Sequence, residues 1–218
     1  MTRRFDLIVF DWDGTLFDST ALIVRCIQGA CRDLGIEVPS DERAAYVIGL
    51  GLRDALAHAA PGLPEDRYPE LGQRYRHHYF ARQHELVLFP GTLEMLQGLK
   101  SRAHRLAVAT GKSRAGLDEA LAGTALKPLF DATRTADETR SKPHPLMLQQ
   151  LMSELGADPG RTLMIGDTTH DLQLAANAGT PSLGVSYGAH EPEAFHAFDP
   201  LAVVHSTREL HDWLIDHA

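Results

Sequence analysis

Residues 7–19 read LIVFDWDGTLFDS, four apolar residues followed by three aspartates within eight positions. An apolar run without alternation reads as a strand buried on both faces, the mark of a parallel sheet. Carboxylates repel one another and resist burial. An aspartate cluster at the end of such a strand is therefore either a solvated acidic turn or a charged site with a partner. The rest of the chain decides between these.

Similar runs recur at LAVA (106–109), TLMI (162–165), SLGVSY (182–187) and AVVH (202–205). Helical patterns separate them. In HPLMLQQLMSELG, Pro145 suits a first helical position, Leu148, Leu151, Met152 and Leu155 share a face, and Gly156 is the stop. DLQLAANAG stops at Gly179, and Ser206 with Glu209 three residues on reads as a capping box. Trp213 and Leu214 fit a core-facing stripe. Strand–helix alternation predicts an α/β fold, a doubly wound parallel sheet.

One interval breaks the rhythm. A βαβ unit takes about 30 residues, and LIVF and LAVA lie roughly three times that far apart. Residues 19–84 contain no strand-like run. Leu22, Ile23, Cys26, Ile27, Ala30 and Leu34 form a helical stripe instead, and further helical patterns follow. The expectation is an all-helical domain over 19–84, inserted into a core made of 1–18 and 85–218, with Pro90 and Gly91 as a hinge.

The 218 residues are 44% hydrophobic and 23% charged, with a formal net charge of −8. That balance argues against nucleic-acid or acidic-membrane binding. Cys26 and Cys31, five apart, fall about 140° apart on a helix and do not bridge easily. No apolar stretch reaches the roughly 20 residues of a membrane span. A cytoplasmic protein, monomeric or a weak homodimer, is expected.

Three strand-like runs end in polar residues: Asp11, Thr110 and Asp167. In open α/β sheets the ligand crevice lies beyond the carboxyl ends of the strands, so these residues should converge. Lys142, in SKPHP, precedes a helix between the second and third of them. Asp11 and Asp167 offer hard oxygen ligands that suit Mg²⁺, which commonly shares its shell with phosphate. Thr110, Lys142 and the N–H groups of the turn at 12–15 would hold phosphate oxygens. One carboxylate is then free to attack phosphorus, and a second, two residues on, can move protons.

These motifs resemble those of the haloacid dehalogenase superfamily phosphatases. DWDGTLFDS is similar to the first motif, ATGKS to the second, Lys142 in SKPHP to the third and GDTTHD to the fourth, in the family's order. The phosphoglycolate phosphatase-like subgroup is the nearest likeness. The resemblance implies a Rossmann-like core with a helical cap between motifs one and two. It implies a Mg²⁺-dependent phosphatase that hydrolyses a small organic phosphate monoester through an aspartyl-phosphate. By that resemblance Asp11 is the nucleophile and a metal ligand, and Asp13 is the general acid/base and lends its carbonyl to the metal. Thr110, Gly111 and Lys142 bind phosphate, Asp167 is a metal ligand and Asp171 supports the metal shell.

In IGLGLRDAL (48–56), Gly49 and Gly51 flank Leu50 ahead of a helical pattern led by Arg53. Such glycines let a loop approach another surface. Gly49 and Arg53 are accordingly expected at the substrate, Arg53 pairing with a carboxylate at its non-reacting end. Plainer readings stand beside these: Arg53 solvated, Asp171 a helix-start carboxylate, and Asp18 or Ser19 an N-cap. GKS at 111–113 is no P-loop, because Leu106 stands where the pattern needs glycine; Ser113 reads as an N-cap. His77 and His78 do not form a metal site, and His170 reads as incidental. Competing functions are a sugar-phosphate mutase of the β-phosphoglucomutase kind and a silent phosphate-binding module. Dehalogenation needs neither Asp13 nor a metal.

Overall fold

The computed structural model describes residues 4–122 and 124–218. The chain opens with β1 (Leu7–Phe10) and a short strand β2 (Phe17–Asp18). Helices α1 (Thr20–Asp33), α2 (Asp41–Tyr46), α3 (Leu52–Ala59) and α4 (Tyr68–Arg82) follow. β3 (Val87–Leu88) and α5 (Thr92–Ser101) lead back to β4 (Arg105–Thr110), α6 (Arg114–Ala122) and β5 (Ala132–Thr135). The chain ends with α7 (Leu146–Leu155), β6 (Thr162–Gly166), α8 (Thr169–Ala178), β7 (Ser182–Val185), β8 (Val203–Val204) and α9 (Thr207–His217).

Six strands form one parallel sheet in the order β5-β4-β1-β6-β7-β8. The connection from β1 runs to one side through β4 and β5, then crosses back to β6. The gap between β1 and β6 is therefore the topological switch point where open sheets bind ligands. Alternate residues of β1 serve opposite faces. Ile8 and Phe10 pack with Met95, Leu96, Leu210 and Leu214 of α5 and α9, while Leu7 and Val9 pack with Leu148, Leu151 and Leu174 of α7 and α8. Helices on both faces explain why the strand has no polar side.

The sequence signal misses β5. Its ATRT is short and half polar, with Thr133 and Arg134 partly exposed. An edge strand has one neighbour and needs less apolar surface, and polar side chains protect its open edge. The expected strands 182–187 and 202–205 shorten to β7 and β8.

The helices between β2 and β3 bury their own apolar side chains. Ile23 and Ile27 of α1 pack with Val47, Ala55 and Ala59, and Ala30 and Cys31 pack with Leu56 and Leu71. Burial of Cys31 widens α1's contact beyond the single expected stripe. The two connections to the core pair with each other: β2 and β3 form an antiparallel ribbon, and Phe89 N–H donates to the Leu16 carbonyl. Pro90 and Gly91, the residues expected as a hinge, lie exposed between β3 and α5. Gly91, at φ +80°, starts α5, and the Pro90 carbonyl accepts from Thr207 Oγ1 at 2.6 Å. No helix among the described residues is long and apolar enough to cross a membrane.

Candidate active site

Asp11 extends β1 by one more ladder bond, its N–H donating to the Ile165 carbonyl of β6. Extended backbone sends residues two apart to the same side. Asp11 and Asp13 thus face the crevice, while Trp12 between them turns into the core, 1% exposed and stacked on Phe17 at 4.8 Å. Gly14 makes the turn at φ +81°, where side chains are strained, and a Cβ there would lie 2.1 Å from Asp167 Oδ2. Glycine is required on both counts.

Four sequence-distant groups converge on Asp11. The Lys142 ammonium, fully buried, lies 2.8 Å from Asp11 Oδ1 and donates to Asp171 Oδ1 at 2.6 Å. Its approach to Asp11 is an ion pair off the line of a hydrogen bond, and Asp11 Oδ2 has no hydrogen-bond partner. Asp167, at the end of β6, accepts from Thr15 Oγ1 and Ala189 N–H, each at 2.8 Å. Thr110, 1% exposed, ends the neighbouring β4.

The electrostatics follow from burial. Desolvation pushes the Asp11 carboxyl well up; Lys142 opposes this, and Asp171 and Asp167 add to it. Asp167 is raised to about 7, by burial first and the Asp171 charge next. Burial would lower Lys142, but the two carboxylates outweigh it and hold its ammonium above the ordinary lysine range.

Oxygens of Asp11, Asp167 and Asp171 lie within 4.8 Å of one another. All three residues are buried, and one Asp11 oxygen is unpartnered. Three hard oxygen donors with mutual repulsion fit a divalent cation such as Mg²⁺. The Asp13 carboxylate is not in this group, so a metal contact from Asp13 would have to come from its backbone carbonyl. Asp171 also serves the helix start. With Thr168 it forms a reciprocal capping box on α8, so the plainer reading of that aspartate holds alongside its contact with Lys142. The box expected at Ser206 is offset: Ser206 Oγ accepts from Glu209 N–H, but the Glu209 carboxylate reaches His205 N–H.

Asp13 has partners that sequence reasoning missed. Its Oδ1 accepts from Ser19 Oγ at 2.8 Å, and Lys112 Nζ lies 3.1 Å from Oδ2. Lys112 also donates to Tyr79 of α4 at 2.8 Å. The carboxylate and phenol beside it overcome burial and raise its ammonium's pKa. In ATGKS the sequence reading assigns Thr110 and Gly111 to phosphate and Ser113 to an N-cap and gives Lys112 no role; the available signal is a lysine two residues past a strand end. Ser19, not Asp18, stands at the start of α1, but its hydroxyl serves Asp13 and not the helix. Asp18 is exposed in β2. Ser113 caps α6 as expected, accepting from Gly116 N–H.

The loop at 48–51 rests on the crevice. Gly49, at φ +91°, has its Cβ position 3.9 Å from Asp11 Oδ2. Gly111 is where the loop touches down, since a Cβ there would meet the Leu50 carbonyl at 2.4 Å. Gly51 N–H donates to Ser141 Oγ, beside Lys142. Arg53 does not join them, which corrects the sequence expectation. Its guanidinium pairs with Glu65 at 2.9 Å with 77% of the side chain exposed, off the face of α3 that Ala55, Leu56 and Ala59 bury. His170 is not incidental. Its Nε2 and that of His190 both donate to the Tyr46 carbonyl, at 2.8 and 3.0 Å, joining α2 to the core.

The chain matches the family model described as haloacid dehalogenase-like hydrolase over residues 8–185. It is 37% identical over 211 residues to "Probable phosphatase IndB" of Dickeya dadantii, covering 94% of this chain and 91% of that one. It is 33% identical to a phosphoglycolate phosphatase of Caulobacter vibrioides, covering 91% and 86%. A solved haloacid dehalogenase-like hydrolase from Bacteroides fragilis superposes with a TM-score of 0.87 at 27% identity, covering 94% of this chain and 99% of that one.

Proposed function

The chain belongs to the haloacid dehalogenase-like hydrolases, and from that premise we propose that it is a Mg²⁺-dependent phosphatase acting on a small organic phosphate monoester through an aspartyl-phosphate. The observation that carries this reading is Asp11: a buried carboxylate with Lys142 at one oxygen and nothing bonded to the other. An unpartnered carboxylate oxygen facing a crevice is placed to act as a nucleophile.

Asp11 Oδ2 attacks phosphorus, forming an oxygen–phosphorus bond as the bond to the leaving alkoxide breaks. Thr110 and Lys142 orient the phosphate oxygens. Asp13 gives its proton to the leaving oxygen, and the alcohol departs. The resulting Asp13 carboxylate takes a proton from water, whose oxygen then displaces Asp11 and releases inorganic phosphate. Lys112 and Ser19 hold Asp13 in place between these steps. Asp11, Asp167, Asp171 and the Asp13 carbonyl would hold the cation, which when bound neutralises the clustered carboxylates and the substrate's charge. The loop at Gly49 shields the crevice from bulk water.

The test is hydrolysis of p-nitrophenyl phosphate with and without Mg²⁺, in the native enzyme and in Asp11→Asn. Turnover is expected only with the cation and the carboxylate both present, with a phosphorylated Asp11 peptide recoverable by rapid acid quench. Native-like turnover by a folded Asp11→Asn enzyme would exclude the aspartyl-phosphate.

A further inference from the structure

Beyond the reacting carboxylates the crevice opens into a cavity of about 240 Å³. Asp11, Asp13 and Thr110 lie at one end. Ile23 and Ile27 of α1, Leu50 of the overlying loop, Leu56 of α3, and Tyr75 and Tyr79 of α4 line the rest. Beyond Asp11 and Asp13, the charged groups at this cavity are few: Lys112, Arg76 and Glu119. Lys112 is held by Asp13 and Tyr79. Glu119 is exposed and accepts from Gln83 at 3.1 Å, and Arg76, in no ion pair among the described residues, is exposed to solvent. Arg53 is paired with Glu65 elsewhere.

Resting on the phosphatase reading, we infer that the group released from phosphate is an uncharged apolar alcohol or phenol of modest size, seated against these helices. The reaction is ROPO₃²⁻ + H₂O → ROH + HPO₄²⁻, with R aliphatic or aromatic. A carboxylate on R, as in 2-phosphoglycolate, or a second phosphate, as in pyrophosphate, would leave water for a largely apolar wall of aliphatic and aromatic side chains whose buried cation, Lys112, is already paired. That desolvation is unfavourable unless a partner is supplied. An alkyl or aryl group instead gains from the same wall, by roughly fourfold in affinity for each methylene buried. The volume lies just below the roughly 300–1,000 Å³ of drug-sized sites, so the gain must stop once the space is filled.

The experiment is a homologous series. kcat/KM is measured with Mg²⁺ for n-alkyl phosphates from methyl to octyl, whose leaving groups are of nearly equal reactivity, beside 2-phosphoglycolate, pyrophosphate and acetyl phosphate. The expected result is a rise of about fourfold per methylene over the first several members, then a fall. The best alkyl phosphate should exceed 2-phosphoglycolate and pyrophosphate by tenfold or more. Leu50→Gln, which places an amide in the wall, should flatten the rise. That slope is a ratio within one preparation, so partial unfolding of the variant does not alter it. A flat or falling series, or preference for either charged compound, overturns the inference and leaves the phosphatase reading intact. Failure to hydrolyse even acetyl phosphate overturns both.

Discussion

Asp13 illustrates how one side chain is tuned by neighbours far away in sequence. Its two oxygens are shared between Ser19 and Lys112, and Lys112 is in turn held by Tyr79. In the proposed reaction Asp13 gives a proton to the leaving oxygen and later takes one from water. Replacing Asp13 by Asn removes proton transfer and leaves Asp11 to attack. Turnover is expected to fall by about 10²–10⁴-fold. With p-nitrophenyl phosphate, whose leaving group departs without an acid, phosphoenzyme should still form and should accumulate in rapid-quench measurements. Full activity in the variant would mean that the acid/base group lies elsewhere.

At the scale of elements, the decisive contact is between a helix-domain loop and a core turn. The Leu50 carbonyl sits where a Gly111 side chain would be, at 2.4 Å. A backbone atom cannot swing aside as a flexible side chain can. Gly111→Ala should therefore lift the loop from the crevice without disturbing the strands beneath. Displacing positioned groups by about an ångström costs on the order of 10²-fold in rate. The expected signature is lower kcat/KM on every phosphate tested, with thermal stability close to the native enzyme. A variant with native kinetics would show that the loop's seat on Gly111 does not matter to the chemistry. The joint at Tyr46, whose carbonyl takes bonds from His170 and His190, is a second place where helix domain and core meet.

For the whole molecule, buried titratable groups couple ion binding to pH. Asp167, raised to about 7, keeps a proton in the fold that the unfolded chain loses near 3.8. Between those values the folded state binds more protons than the unfolded, so this group's contribution to stability falls as pH rises. His170, lowered by burial from 6.5 to about 4, acts with the opposite sign over most of that range. The response to Mg²⁺ tests the carboxylates, because a cation held by Asp167 would have to displace its proton. The rise in melting temperature on adding Mg²⁺ should be small at pH 5.5 and grow through pH 7 to a plateau above it. A Mg²⁺ shift independent of pH would remove Asp167 from the cation site.

Sequence by itself determined the alternation of strand and helix, the interruption between the first two core strands, and the residues that terminate β1, β4 and β6. Those features are local. Apolar period, helix punctuation and the D-x-D spacing are written within a few residues of one another. Tertiary structure decided the partners. Thr15 reaches Asp167 across 152 positions, and Lys142 reaches Asp171 across 29. Lys112 reaches Tyr79 across 33 positions and meets Asp13, far from it in sequence. Arg53 lies off the face of α3 that Ala55, Leu56 and Ala59 bury, and it pairs with Glu65 at the surface. β5 escaped notice because an edge strand can be polar and short. His170 looked incidental until packing brought the Tyr46 carbonyl to it from 124 positions away. Local pattern follows from the geometry of one element. Side-chain pairing depends on how elements stack, and that is settled by the apolar contacts on their far faces.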